Sequence, residues 1–187
     1  AGLTMVLPIL IFMIAIGLLT GVGAASIVSR SLGKGDAKRA SIAGGNAIVI
    51  NVLLDLLVIA LFYFFMDNIL SFLGASGNVL AYSKEYLSIM LFGFIFYTFT
   101  VNGNNIIRGE GKPRAAMYAM LIGAVLNMIL DPIFIFVFQM GVRGVAIATV
   151  ISQVAATIYI ILFFFFGNSI FKPRAPLFTL KKSISKE

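Results

Sequence analysis

The chain alternates between long apolar stretches and short polar connections. Five stretches are almost free of charged residues, and they cover residues 3–29, 43–66, 86–107, 115–138 and 144–166. Each is long enough for a helix to cross the ~30 Å hydrocarbon core of a bilayer. Their apolar positions are continuous and do not alternate, which favours helices over the strands of a barrel. The pattern predicts an all-α integral membrane protein built as a bundle of five transmembrane helices.

The polar connections predict how this bundle is oriented. Twelve of the 14 lysines and arginines follow the first, third or fifth stretch. By the positive-inside rule that side is cytoplasmic, so in a plasma membrane the N-terminal end of this chain lies outside and its C-terminal end inside. An outside N-terminus without a signal sequence predicts a further helix upstream. Residues 67–85 are too polar to span and are expected at the outer interface, and residues 167–187 are expected to form a cytoplasmic connector.

Composition narrows the chemistry that these helices can perform. The chain has no cysteine and no histidine, which excludes disulfides, thiolate nucleophiles and histidine proton relays. Carboxylates, amides, hydroxyls and the backbone remain. The net charge of +7 is nearly all explained by the orientation rule, so a nucleic-acid partner is not expected.

A short motif occurs twice and indicates an internal repeat. The second stretch contains Asn51-Val-Leu-Leu-Asp55, and the fourth contains Asn127-Met-Ile-Leu-Asp131, 76 residues later. Similar loops precede them, GKGDAKRA and GEGKPRAA. We interpret the repeat as a duplicated helical hairpin. Repeated helices with polar interruptions are typical of secondary transporters, whose binding sites lie near the membrane midplane.

Asp131 is the strongest candidate for a functional residue. An ionised carboxylate at the centre of a membrane helix costs about 2.5–3.5 kcal/mol, and none of the five stretches contains a basic partner. Asn127 lies one turn away on the same face, and Thr149 of the next, antiparallel stretch reaches a similar depth. Pro132 leaves the carbonyl of Met128 without its helical donor. Oxygen atoms of these kinds suit a hard cation, so we predict a cation-binding or protonation site, with sodium possible as the ion.

Other polar residues are predicted to line a secondary part of the same cavity. Ser152 and Gln153 extend the polar stripe of Thr149 at helical spacing, and Asn51 and Asp55 are the repeat counterparts of the candidate site. Asp55 lies at the estimated midplane, where its charge is as costly as that of Asp131. For Asn127 and Thr149, hydrogen bonding between helices is an equally open explanation. In the first stretch Gly17, Gly21 and Gly23 predict close helix packing.

Several segments together resemble a known family. They are SIVSRSLGKGDAKRA after the first stretch, NNIIRGEGKPRAA after the third, and NMILDPIFIF followed by GVRGVAIATVISQ. Over essentially the whole chain, this arrangement resembles the second to sixth helices of the N-terminal lobe of MATE (multidrug and toxic compound extrusion) transporters. The LDP motif followed by G-x-x-G-x-A-x-A-T is its most specific part. The resemblance implies that residues 1–166 are an incomplete six-helix lobe and that residues 167–187 lead to a second lobe.

The resemblance also implies a function. Members of this family are not enzymes and need no cofactor; they export small organic cations in exchange for sodium or protons. In the bacterial and archaeal branch, the cation site combines an aspartate of the first helix with residues matched here by Asn127, Asp131 and Thr149. A flippase for lipid precursors or polysaccharides, from the same superfamily, is an alternative. A non-transporting structural subunit is another, and an intramembrane aspartyl protease would need Asp55 and Asp131 close together although their estimated depths differ by roughly 7 Å.

Overall fold

The structure, a computed structural model, describes residues 2–170 and the side chains of residues 6–170. Regular structure in this range is entirely helical. The elements are α1 (Gly2–Gly33), α2 (Ala37–Phe64), α3 (Met66–Phe72), α4 (Gly77–Gly109), α5 (Pro113–Pro132), a π-helical turn (Ile133–Val137) and α6 (Gly141–Phe166). Within this range, five helical segments are long and apolar enough to cross a membrane, namely α1, α2, α4, α5 continued by the π-helical turn, and α6. The predicted all-α bundle with five spans is therefore confirmed.

The central helix of the bundle is α4, which packs against α1, α2, α3, α5 and α6. Two layers of buried apolar side chains surround it at different heights. The first apolar layer lies toward α3 and includes Met13, Val58, Leu87, Leu91 and Phe94. The second apolar layer lies toward the α4–α5 turn and includes Ala24, Ile48, Ile106, Ala116 and Ile160. The space between these layers is where the polar residues of α1, α2 and α4 meet.

One predicted boundary is wrong. Residues 77–85 were expected outside the third span, yet they form the first turns of α4. Their charged side chains lie at the start of α4 and form ion pairs there. Lys84 forms an ion pair with Asp67 of α3, and Arg143 lies 3.4 Å from Glu85. Charges that remain exposed and paired at the end of a helix do not force the helix to stop.

The two turns of the predicted repeat have the same conformation. Gly35 and Gly111 occupy matching positions and have φ values of +77° and +76°, which an L side chain rarely adopts. The helix that follows each turn begins differently. Asp36 accepts a hydrogen bond of 2.8 Å from the backbone N–H of Arg39, whereas Pro113 occupies the first turn of α5 as its sequence position predicts. The shared turn supports the interpretation of the repeat as a duplicated hairpin.

Glycines bring α1 against α4. A Cβ added at Gly17 would lie 3.4 Å from Thr98, and one added at Gly21 would lie 2.9 Å from Asn105 and 3.2 Å from the Cα of Asn102. The packing role predicted for Gly17 and Gly21 is thus confirmed. It is wrong for Gly23, where nothing lies within 4 Å. Small residues allow this close approach because backbone atoms of the two helices come nearly into contact.

A buried carboxylate fixes the end of α6 to the α4–α5 turn. The side chain of Glu110 is only 1% exposed, and it accepts hydrogen bonds from Ser169 Oγ at 2.7 Å and from the backbone N–H of Ile170 at 3.3 Å. Lys112 lies 3.1 Å from the same carboxylate and donates to the carbonyl of Asn168. The predicted connector over residues 167–187 thus begins at a defined position, while its part from residue 171 onward lies outside the described residues.

Candidate functional site

The structure brings the three principal predicted residues together between α5 and α6. Asn127 Nδ2 donates to Asp131 Oδ1 at 3.1 Å and lies 3.3 Å from Thr149 Oγ1. Thr149 Oγ1 in turn donates to the carbonyl of Val145 at 2.9 Å. All three side chains are partly exposed. We call Asn127, Asp131 and Thr149 the open cluster.

In the part of the chain that the structure describes, no lysine or arginine forms an ion pair with Asp131. Among the described residues, the hydrogen-bond donor to Asp131 is the neutral amide of Asn127. One carboxylate beside an amide and a hydroxyl presents a single negative charge and several oxygens, which matches a monovalent cation or a proton.

A cavity of about 400 Å³ lies beside the open cluster. Its walls come from α1, α4, α5 and α6, and Asn127 and Thr149 are among the residues that line it. Gln153 also lines it, as predicted, and both Thr149 and Gln153 line a second, mainly apolar cavity of about 130 Å³. Ser152 was predicted with them, but it is completely buried and donates to the carbonyl of Ala148 at 2.8 Å. Its hydroxyl therefore belongs to the helix interior and not to the cavity wall.

One arginine lines the larger cavity. Arg108 falls just beyond the third stretch in sequence, but α4 extends to Gly109 and carries it in its last turn. Its Nη2 lies 3.1 Å from the sulfur of Met120. The predicted spans contain no basic residue. The helices of the structure extend beyond those spans and do contain basic residues at their ends.

Asp55 and Asn51 lie elsewhere, in a second polar group that we call the buried cluster. It contains residues of three helices, namely Thr20, Asn51, Asp55, Thr98 and Asn102. Asp55 Oδ2 accepts hydrogen bonds of 2.6 Å from both Asn51 Nδ2 and Thr98 Oγ1. Asp55 and Thr98 are 0% exposed and Asn51 is 1% exposed. Asn51 and Asp55 were predicted to line a cavity, but the helices enclose both side chains completely.

Sequence reasoning missed the pairing of Asp55 with Thr98. The signal that was available is the repeat itself: each Asn-x-x-x-Asp motif meets a threonine from another helix, Thr98 of α4 in one case and Thr149 of α6 in the other. The two aspartates bond to different partners and do not bond to each other. This arrangement does not fit the proton-sharing pair of an aspartyl protease.

Pro132 is the last residue of α5. The backbone after it widens into the π-helical turn, where the N–H of Phe138 bonds to the carbonyl of Ile133 at 3.0 Å. Such turns are frequent at functional positions. The disruption begins directly after the carboxylate of the open cluster.

Five apolar spans, an intramembrane carboxylate with no basic partner among the described residues, and a cavity lined by its neighbours Asn127 and Thr149 are features of a multi-pass membrane protein. Secondary transporters are membrane proteins with such features. The MatE family model matches residues 1–133, so the chain belongs to the MatE family. The multidrug export protein MepA of Staphylococcus aureus (strain NCTC 8325 / PS 47) is 35% identical over 164 residues, which are 88% of this chain and 36% of MepA. The chain therefore spans about a third of the length of the curated relatives it matches.

Solved structures agree with this assignment. A multidrug resistance MATE family transporter of the MOP superfamily in an inward-facing conformation matches with a TM-score of 0.93 and 29% identity, over 99% of this chain and 42% of that one. An outward-facing structure with the same description matches with a TM-score of 0.94 and 29% identity, over 100% and 42% of the two chains. The fold of this chain is thus similar to the matching region of both the inward-facing and the outward-facing structure.

Proposed function

We propose that this chain is part of an antiporter that exports small organic, cationic compounds in exchange for sodium or protons. The observation that carries the proposal is the open cluster, an aspartate within a membrane span that has no basic partner among the described residues and lies beside a cavity. A carboxylate in this position is a functional candidate by default, because ionisable residues within membrane spans are costly, rare and usually functional.

Each member of the open cluster has a distinct role in this proposal. Asp131 supplies the negative charge that attracts the cation or binds the proton. Asn127 keeps the carboxylate and Thr149 in register, since its amide nitrogen lies within hydrogen-bond distance of both. Thr149 contributes a further oxygen from α6. Binding of the ion between α5 and α6 would then favour one packing of this hairpin over another, and coupling requires that difference in affinity.

The cavity supplies a place for the organic substrate. Gln153 and Tyr97 line both cavities, and Tyr97 offers an aromatic face of the kind that attracts organic cations. The relative MepA is described as a multidrug export protein, which supports an organic substrate here. We further propose that the complete transporter has a second lobe beyond the connector, that it lies in the plasma membrane, and that the α4–α5 turn faces the cytoplasm, as the distribution of basic residues predicts.

The test is gradient-driven efflux by the full-length protein in liposomes. Asp131→Asn is expected to reduce the stimulation of efflux by an imposed sodium or proton gradient by about 5–150-fold, the usual range of a coupling between two sites. The matched control is Asp67→Asn, which removes a carboxylate that is 62% exposed in α3 and should leave efflux unchanged. Wild-type stimulation in the Asp131 variant would refute the proposed site.

A further inference from the structure

The buried cluster contains two polar atoms that the fold leaves without partners. Asp55 Oδ1 and Asn102 Oδ1 have no hydrogen bond, although both residues are at most 1% exposed. An unpartnered buried acceptor costs about 1–3 kcal/mol, and a buried charge costs more. Two such acceptors in one cluster indicate that something is bound there.

The cluster is sealed from both ends of the bundle. On α2, Asn51 and Asp55 lie between Ile48 of the second apolar layer and Val58 of the first. The same order holds on α4, where Thr98 and Asn102 lie between Phe94 and Ile106. On the side of α1, Gly17 and Gly21 close the cluster because they bring α1 against α4. An ionised Asp55 in this position would be surrounded by apolar side chains and neutral dipoles.

Among the residues that the structure describes, no charged group pairs with Asp55. Its partners are the neutral side chains of Asn51 and Thr98, and these connect to Thr20 of α1 and Asn102 of α4. The charged side chains on the helices packed around it lie at the helix ends. They are Arg30 on α1, Asp67 on α3, Lys84, Glu85 and Arg108 on α4, and Lys38 and Arg39 at the start of α2.

Hydrogen-bond geometry distinguishes a proton from a metal ion. Hard cations collect about six oxygen ligands. Here Asp55 Oδ2 already accepts two hydrogen bonds of 2.6 Å, and Asn51 Oδ1 accepts one from Thr20 at 2.7 Å and one from Asn102 at 3.4 Å. Asp55 Oδ1 and Asn102 Oδ1 are the two side-chain atoms of the cluster that have no hydrogen bond, and two oxygens are too few for a sodium ion. A neutral carboxylic acid fits, because its carbonyl oxygen accepts hydrogen bonds while its hydroxyl donates one.

We propose that Asp55 is a second proton-binding site, in which Oδ1 carries the proton and Asn102 Oδ1 is its acceptor. The proton is exchanged only when α2 separates from α1 and α4 and admits water, so its binding stabilises the closed packing of these three helices. The transport consequence, a proton taken up or released once per change of packing, rests on the proposed function. Protonation itself does not, and it can be measured without any transport.

Infrared spectroscopy of the full-length protein in lipid nanodiscs tests the proposal. At neutral pH we expect a carbonyl band of a protonated buried carboxyl group that disappears in Asp55→Asn and persists in Asp131→Asn. Thr98→Val provides a second variant if Asp55→Asn fails to fold. Removing the donor to Oδ2 should shift the same band to higher frequency.

Two results would overturn the proposal. One is a spectrum in which neither the Asp55 nor the Thr98 substitution changes any protonated-carboxyl band. The other is loss of that band when sodium is added at constant pH, which would make the occupant a metal ion. Neither result affects the efflux assay, which tests whether transport depends on Asp131. Failure of this proposal can therefore be distinguished from failure of the proposed function.

Discussion

The open cluster and the buried cluster are two versions of one arrangement. In each, an asparagine lies one turn before an aspartate, and a threonine from another helix completes the group. Around Asp55 the hydrogen bonds are 2.6 Å long and the carboxyl group is fully enclosed, whereas the hydrogen bond from Asn127 to Asp131 is 3.1 Å long and Asp131 is partly exposed. We therefore propose that the same three residue types serve different tasks in the two clusters, and that the surrounding helices decide which.

The difference comes from the neighbouring helices more than from the motif. One face of α2 packs against α1 and α4, and on this face apolar layers lie on both sides of the polar residues. Helix α5 has few buried residues, and a cavity lies along its contact with α6. Burial holds a carboxyl group in one state until the helices move. Exposure lets a carboxylate exchange its ion with the surroundings.

The largest effect on stability is expected from removing the carboxyl group of the buried cluster. Asp55→Ala leaves Asn51 Nδ2 without its acceptor in an enclosed position, at about 1–3 kcal/mol. Thr98 Oγ1 loses its bond to the carboxylate and keeps only the carbonyls of Phe94 and Ile95 in its own helix. Thermal unfolding of the detergent-solubilised full-length protein would measure the loss. The paired variant Asp131→Ala should cost much less, because water can reach the groups that remain. Equal destabilisation by the two substitutions would contradict the comparison.

A smaller effect on stability is expected from disturbing the glycine contact between α1 and α4 that closes the buried cluster. Gly21→Ala places a methyl group 3.2 Å from the Cα of Asn102, so α1 and α4 must separate, at about 1–3 kcal/mol. Gly23→Ala is the matched control, since nothing lies within 4 Å of its new Cβ and alanine is the better helix former. Unfolding temperatures should fall for the first variant and hold or rise for the second. Equal changes in unfolding temperature for the two variants would contradict the role of Gly21 in closing the buried cluster.

Much of this arrangement follows from the sequence. Apolar length predicted five spans, the repeated Asn-x-x-x-Asp motif predicted a duplicated hairpin, and helical spacing with antiparallel order predicted that Asn127, Asp131 and Thr149 meet. These features depend on local pattern and on the succession of helices along the chain. The structure then added the identical turns at Gly35 and Gly111, which the matching loops had only suggested.

The sequence did not reveal which cluster is enclosed. Asp55 and Asp131 have the same cost in lipid when their helices are considered alone. Their exposure depends on how α2 and α5 are rotated and on what packs against each, which is set by contacts distant in the chain. The role of Thr98 was missed for the same reason, since hydrophobic pattern does not fix the helix rotation that brings it to Asp55. Ser152 shares the spacing of Gln153 but faces a different neighbour.

The most direct test compares the two threonines that complete the clusters. In a cysteine-free full-length background, Thr149→Cys and Thr98→Cys would be labelled separately with a membrane-impermeant thiol reagent in native membranes. The described chain contributes no cysteine of its own to this measurement. We predict labelling of the Thr149 variant in the folded protein and labelling of the Thr98 variant only after denaturation. Labelling of both variants at the same rate in the folded protein would contradict the division into an open and a buried cluster.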